Sequence, residues 1–162
     1  MSVPKGDRGK SGVQFVDTAD TIEQRAMEVC KKWPKSYMFI ITQRTVALAS
    51  EVYEHAQKAN AIMPQTEDER QERALELERA LGANYAFARK IERAFSLFPI
   101  CGQKDGRSQN EEAEKSGRLL EEFMTLCKDE ENALKGNLHY VRKMELHKPP
   151  KQKGKGGAAK TE

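Results

Sequence analysis

The sequence lacks the features that mark disulfide-rich, secreted and membrane-spanning proteins. Its three cysteines are widely spaced and form no CxxC pair. We therefore expect reduced thiols and a cytoplasmic protein, with Cys30 and Cys127 serving as small buried apolar residues. No apolar run approaches the roughly 18 residues of a membrane span, and Met1–Gly12 is polar and basic, unlike a secretory signal. We accordingly expect no membrane association.

Motifs of catalysis and metal binding are also missing. The three histidines, His55, His139 and His147, occur in no HExxH or similar ligand spacing. The segment GQKDGR has neither the glycine spacing nor the GK[ST] ending of a phosphate-binding loop. EVYEH does not give the Glu-x-x-His spacing of di-metal bundles. We therefore expect a non-enzymatic protein with no metal ion or other cofactor. A metal or small-molecule enzyme is the less favoured alternative.

Strand-forming residues are scarce, and the composition that remains is typical of helices. Ala, Glu, Lys, Arg and Leu dominate, with 33% charged and 38% hydrophobic residues. Such values are typical of a small helical bundle whose outer faces are solvated. A chain of 162 residues is long enough for one domain with a real core.

The clearest helical pattern runs from Arg73 to Phe98. Seam residues recur there at alternating steps of three and four: Ala74, Leu77, Leu81, Asn84, Ala88, Ile91, Phe95 and Phe98. This spacing predicts a long helix that packs a broad face against other helices. Thr66 and Glu69 form a capping box at its start. The polar Asn84 either fixes the register of the helices or is a core asparagine bonded to a neighbouring helix.

Three further helices are predicted from the same kind of pattern. The first begins near Thr18 or Asp20 and ends at Trp33, because Pro34 stops it. Ser36 caps the second, from about Tyr37 to Ala61, whose seam is Met38, Ile41, Thr45, Leu48, Val52, Ala56 (or His55) and Ala59. The fourth begins near Asn110, and its seam is Leu120, Phe123, Cys127, Glu130, Leu134, Asn137 and Val141.

Together these helices predict an all-α fold, an up-down-up-down antiparallel four-helix bundle over residues 16–146. Residues 1–15 and the Lys/Gly-rich residues 147–162 are predicted to be disordered, basic tails. A second apolar line on the second helix, Phe39, Val46 and Tyr53, indicates either a broad core face or a surface reserved for another subunit. The first helix is short, so part of the bundle is expected to be uncovered and to act as an interface.

The net charge of +3 is unevenly distributed. The two tails carry +2 and +4, which leaves −3 for residues 16–146. Basic residues nevertheless cluster on two of the predicted helices: Lys35, Arg44, Arg79, Arg89, Lys90 and Arg93. Such residues either hold phosphates, with salt-dependent affinity that is mostly independent of sequence, or pair with nearby glutamates on a solvated face.

Two segments resemble a known family. WPKSYMFIITQRTVALASEVYEHAQKAN, residues 33–60, is similar to the aromatic-Pro-Lys and Gln-Arg region that precedes a long alanine-rich helix in bacterial four-helix-bundle proteins. ALGANYAFARKIERAFSLFPI, residues 80–100, resembles the third helix of the same family. The family includes the accessory variability determinant proteins (Avd) of diversity-generating retroelements and the bundle proteins encoded in ribosomal RNA intervening sequences. The resemblance covers roughly residues 16–146.

This resemblance implies a homopentameric barrel that binds a reverse transcriptase together with template RNA or cDNA, and that supports mutagenic reverse transcription. Carried over by position, Lys35, Arg44, Arg89, Lys90 and Arg93 would contact nucleic acid. The net charge of −3 over residues 16–146 departs from the strongly basic body that this role implies. The alternative is a structural four-helix bundle that binds only protein.

Overall fold

The computed structural model describes residues 13–97 and 109–144, and these parts of the chain are helical without strands. The four α-helices are α1 (Gln14–Cys30), α2 (Gln43–Ala61), α3 (Glu67–Leu97) and α4 (Gln109–Lys143). Over the described residues this confirms the predicted all-α class and the predicted number of four helices. The predicted disordered tail spans residues 1–15, but Gln14 and Phe15 belong to α1. Residues 1–12 of that tail, the predicted tail at 147–162 and most of the loop predicted after α3 lie outside the described residues.

Helix α1 begins earlier than predicted. It starts at Gln14, and no side chain caps its first turn. The predicted cap residue Thr18 instead lies inside the helix, where its hydroxyl donates to the carbonyl oxygen of Gln14 at 2.9 Å. Phe15 is completely buried. Burial of this aromatic ring stabilises a first turn that lacks a capping side chain.

The start of α2 also differs from the prediction. Residues Lys35–Tyr37 form a 3₁₀ turn and Met38–Thr42 a π-helical turn, and neither segment has a side-chain cap. A π turn adds one residue to a helical turn and so rotates the residues before it relative to those after it. Met38, predicted in the core, is therefore 44% exposed. Phe39 and Ile40 are 82% and 70% exposed.

From Ile41 onward α2 follows the predicted seam, with Ile41, Thr45, Leu48, Val52, Ala56 and Ala59 all buried. His55, the alternative to Ala56, is half-buried. In the second apolar line, Val46 and Tyr53 are partly buried against the core, whereas Phe39 points outward. That line is therefore a broad core face along most of its length.

The capping box before α3 is confirmed. Thr66 accepts a hydrogen bond from the backbone N–H of Glu69 at 3.3 Å, and the Glu69 carboxylate accepts from the N–H groups of Thr66 and Gln65 at 3.0 and 2.7 Å. The core face of α3 contains Leu77, Asn84 and Ile91 of the predicted seam, but between and after them it buries the residue one position before the predicted one. It buries Leu77, Ala80, Ala83, Asn84, Phe87, Ile91 and Ala94, while Leu81, Ala88 and Phe95 are half-buried. Because α3 packs against both α2 and α4, one narrow stripe does not describe its buried face.

Helix α4 follows its predicted seam closely. Phe123, Cys127, Glu130, Leu134 and Val141 are buried, while Leu120 and Asn137 are half-buried. A helix that buries a single stripe is well described by the three-four step.

The core consists of two apolar clusters, and all four helices contribute to both. The first includes Ile22, Trp33, Ile41, Phe87 and Phe123, and the second includes Phe15, Val52, Leu77, Leu134 and Val141. Two buried polar residues lie in the sequence between a residue of the first cluster and a residue of the second. They are Asn84, between Ala83 and Phe87 on α3, and Glu130, between Cys127 and Leu134 on α4.

Candidate nucleic-acid interface

The six predicted nucleic-acid contacts do not form one continuous patch. Arg89, Lys90 and Arg93 occur in the last turns of α3, beside residues of the first cluster. Lys35 and Arg44 flank the π turn, which precedes α2 beside the same cluster. Arg79 lies about 15 Å away along α3, at 1.5 Å per residue, among residues of the second cluster. Five of the six residues therefore belong to one end of the core.

Arg79 is held in a network that joins α2 and α3. The Glu76 carboxylate pairs with Arg79 at 2.5 Å and with His55 Nδ1 at 2.6 Å. Burial opposes ionisation of Glu76, but the hydrogen bonds from His55 and Arg79 outweigh it, so the pKa of Glu76 is lowered. The charge of Arg79 thus stabilises a buried carboxylate, as the alternative interpretation of the basic residues predicts for this position.

Replacing Glu76 with glutamine is expected to lower the free energy of unfolding by about 1.5 kcal/mol near neutral pH, because charged hydrogen bonds to Arg79 and His55 are lost. Since the pKa of Glu76 is lowered in the folded state, its contribution exists above the unfolded value of 4.5 and disappears as pH falls. Urea denaturation at several pH values measures both effects. Glu78→Gln, which removes an exposed pair with Arg142, is the control and should cost little.

The cluster at the end of α3 is more accessible. Arg89 is 86% exposed as a side chain and touches Glu92 only at 3.4 Å. Arg93 is exposed and makes no ion pair within the described residues. Lys90 is half-buried, and its spacing of 14 residues from Glu76 places it on the α2 side of α3. The three cations therefore spread around the helix end rather than along one stripe.

Arg44 forms an ion pair within the described residues, whereas Lys35 does not. Arg44 pairs with Glu51 at 2.9 Å, two turns further along α2, and both side chains are largely exposed. Lys35 is exposed and has no ion pair among the residues that the structure describes. An exposed pair such as Arg44–Glu51 is weak and can exchange its partner for a phosphate. Both residues are therefore available to an anion.

A groove of about 440 Å³ lies between α3 and α4, lined by Asn84, Tyr85, Ala88, Arg89, Glu92, Met124, Cys127, Lys128 and Glu131. Glu131 accepts hydrogen bonds from Lys135 at 2.6 Å, Lys128 at 3.0 Å and the Tyr85 hydroxyl at 3.0 Å. These contacts, chiefly that from Lys135, lower the pKa of Glu131 to about 2. Lys128 and Lys135 thus share one carboxylate, and Arg89 is the more exposed of the two cations that line the groove.

The polar residues Asn84 and Glu130 are completely buried or nearly so. Asn84 donates a hydrogen bond to the carbonyl oxygen of Cys127 on α4 at 2.8 Å. It is therefore a core asparagine bonded to a neighbouring helix, which is one of the two alternatives that the sequence left open. Its own carbonyl oxygen and both oxygens of Glu130 lack hydrogen-bond partners within the described residues. Burial raises the pKa of Glu130 to about 8. The sequence placed Glu130 in a seam but gave no reason to single it out.

The described cysteines are not reactive groups. Cys30 and Cys127 are buried and unbridged, and burial raises the pKa of each thiol to about 12. Across residues 13–97 and 109–144, no cluster of three or more His, Cys, Asp or Glu side chains could hold a metal ion. In the same ranges no helix is long and apolar enough to cross a membrane. Cys101 and His147 lie outside these ranges.

Comparison of the chain with protein-family models, curated proteins and solved structures finds no match. The geometry of the described residues therefore carries the functional argument together with the two resembling segments. That geometry offers two features at one end of the core: accessible cations and exposed apolar side chains.

Proposed function

We propose that this protein is a non-enzymatic accessory subunit of a diversity-generating retroelement. It assembles as a homo-oligomer, a pentamer by the family resemblance, of up-down-up-down antiparallel bundles. It binds a reverse transcriptase together with template RNA or cDNA in the cytoplasm. Its role is to hold these partners during mutagenic reverse transcription.

The observation that carries this proposal is that Lys35, Arg44, Arg89, Lys90 and Arg93 all lie in segments that contribute residues to the first cluster, at one end of the core. These are the residues that the resemblance implies as nucleic-acid contacts. In an RNA complex, lysine and arginine neutralise phosphates and release counterions, which gives affinity despite an acidic body. Arg79 is the weakest candidate, because Glu76 already holds it.

A second candidate is a bundle that binds only protein. The exposed Phe39 and Ile40 favour it, since contiguous exposed apolar side chains mark protein interfaces more often than RNA sites. The two candidates predict different results when RNA is added to the purified protein.

Reversing the charges of Arg89, Lys90 and Arg93 to glutamate is expected to weaken RNA binding by at least roughly tenfold, because three phosphate contacts become repulsive. The slope of log affinity against log salt should fall by about 2, at about 0.7 per phosphate for a single strand. Fluorescence anisotropy with a labelled single-stranded RNA of mixed sequence measures both quantities.

A matched control reverses Lys58, Arg142 and Lys143, which changes the net charge by the same amount beside the second cluster. This control should bind RNA almost as the unmodified protein does. Equal loss in both variants would mean that net charge alone drives binding. No binding by the unmodified protein would favour the protein-only bundle.

A further inference from the structure

The turn between α1 and α2 forms a basic corner with an apolar pocket. We name residues 27–48 the α1–α2 corner. It carries four basic residues against one acidic residue, a net charge of +3. A pocket of about 360 Å³ opens in it, and its lining includes Met27, Trp33, Met38, Val46, Lys31 and Lys35. The exposed Phe39 and Ile40 belong to the same corner.

The lysines of this corner form no ion pairs within the described residues. Lys31, Lys32 and Lys35 are exposed and make no ion pair in residues 13–97 and 109–144, while the one acid, Glu28, pairs with Arg25 at 2.9 Å. A wall of apolar side chains flanked by unpaired lysines fits an apolar side chain that is accompanied by carboxylates. The π turn keeps this surface open, because it turns Met38 away from the core.

An apolar side chain accompanied by carboxylates occurs in this chain at the turn between α2 and α3. We name residues 62–72 the α2–α3 corner. It holds four acidic residues against one basic residue, a net charge of −3. Met63 is 77% exposed there, beside the first turn of α3. A methionine side chain adapts readily to an apolar pocket.

Some of the carboxylates of the α2–α3 corner also form no ion pair within the described residues. Glu67 pairs with Arg70, and Glu69 serves the capping box. Asp68 and Glu72 are exposed and form no ion pair in the described part of the chain. The two corners adjoin opposite clusters of the core, joined by the 19 residues of α2, roughly 28 Å at 1.5 Å per residue. One chain therefore cannot bring its own two corners together.

We propose that the α2–α3 corner of one copy docks on the α1–α2 corner of a second copy, with Met63 entering the apolar pocket. Asp68 and Glu72 then pair with Lys31 and Lys35. In the assembly Lys35 therefore serves the contact between copies, and the phosphate contacts of the proposed function fall to the other four cations. Two different surfaces meet in this contact, so the assembly is head-to-tail and closes into a ring if the rotation between copies permits. The inference rests on the homo-oligomer of the proposed function and names its surfaces.

Sedimentation velocity of the full chain tests the contact. The unmodified protein should be an oligomer that dissociates as salt is raised, because the pairing is partly electrostatic. Lys31→Glu with Lys35→Glu should give a monomer, and so should Asp68→Lys with Glu72→Lys. An equimolar mixture of the two variants should reassemble into open chains or rings with an even number of subunits, because only contacts between unlike variants are complementary. A closed ring of five subunits is not expected from the mixture, because it would contain at least one contact between like variants. Circular dichroism checks that both variants keep their helices.

Met63→Ser tests the apolar part of the contact. The side chain is mostly exposed, so folding should be unaffected while the oligomer weakens at least roughly tenfold in dissociation constant. Charge variants that stay oligomeric, or a mixture that stays monomeric, would overturn the docking while leaving the homo-oligomer intact. An unmodified chain that is monomeric would overturn both. The assembly is expected to persist in the variant reversed at Arg89, Lys90 and Arg93, so RNA binding and assembly are judged separately.

Discussion

Replacing Glu130 with leucine is expected to raise the free energy of unfolding by about 3 kcal/mol near neutral pH. The side chain is fully buried, and neither carboxylate oxygen has a hydrogen-bond partner in the described residues. Its pKa rises from 4.5 to about 8 on burial. The folded protein therefore holds Glu130 largely protonated at neutral pH, whereas the unfolded chain is free to ionise it. Leucine removes this difference and fills the same region of the core.

The pH dependence has a defined sign. A folded-state pKa above the unfolded value means that the contribution of Glu130 is fully present below 4.5 and is lost as pH rises to about 8. At about 1.4 kcal/mol per pH unit, the free energy of unfolding should fall by roughly 4 kcal/mol between these two pH values. Chemical denaturation at several pH values, with Glu130→Leu and Glu130→Gln beside the unmodified chain, measures the slope. Both variants should flatten it, because neither side chain titrates.

The matched control is Glu121→Leu, at an exposed position of the same helix. It should change the free energy of unfolding by less than about 0.5 kcal/mol and leave the pH slope intact. The burial of Glu130 would be contradicted if Glu130→Leu were less stable than the unmodified protein at neutral pH and kept the same slope.

Replacing Phe87 with alanine should destabilise the protein by about 4 kcal/mol. Phe87 is completely buried in the first cluster, and its ring meets that of Phe123 edge-to-face with centroids 5.8 Å apart. The loss combines the transfer free energy of the ring with the cavity left between α3 and α4. Thermal and urea denaturation measure the change. A protein of ordinary stability, about 5–15 kcal/mol, would become marginal.

Phe39→Ala removes the same ring from a residue that is 82% exposed. Its expected cost is less than about 0.5 kcal/mol, so the two phenylalanines should differ sharply. If Phe87→Ala does not fold, Phe87→Leu, which preserves most of the volume, should cost less than roughly 1.5 kcal/mol and allow the measurement. Similar losses for Phe39 and Phe87 would contradict the arrangement of the first cluster.

Helix number and most of the core were predictable because they depend on local pattern. In α4 one stripe is buried, and the three-four step found Phe123, Cys127 and Leu134. The capping box at Thr66 and Glu69 was also predictable, because its bonds join residues three positions apart. The start of α1 was missed because Phe15, and not a polar cap, fixes it.

The candidate site was predictable only as a set of residue types. The charges of Arg79 and Arg89 look alike in sequence, yet Glu76 holds Arg79 in a network with His55 of α2 while Arg89 is largely free. This distinction depends on which helix lies beside α3, and periodicity does not contain that information. RNA binding by Arg89, Lys90 and Arg93 stays a prediction.

By itself the sequence determined that this chain forms four helices with apolar faces, because helical periodicity and capping act over a few neighbouring residues. Only the tertiary structure decided that Phe39 and Ile40 face outward and that Glu130 is sealed in the core. It also placed the acidic and basic corners beside opposite core clusters. Burial and mutual placement depend on neighbours that are distant along the chain, and such contacts arise only when the helices pack together.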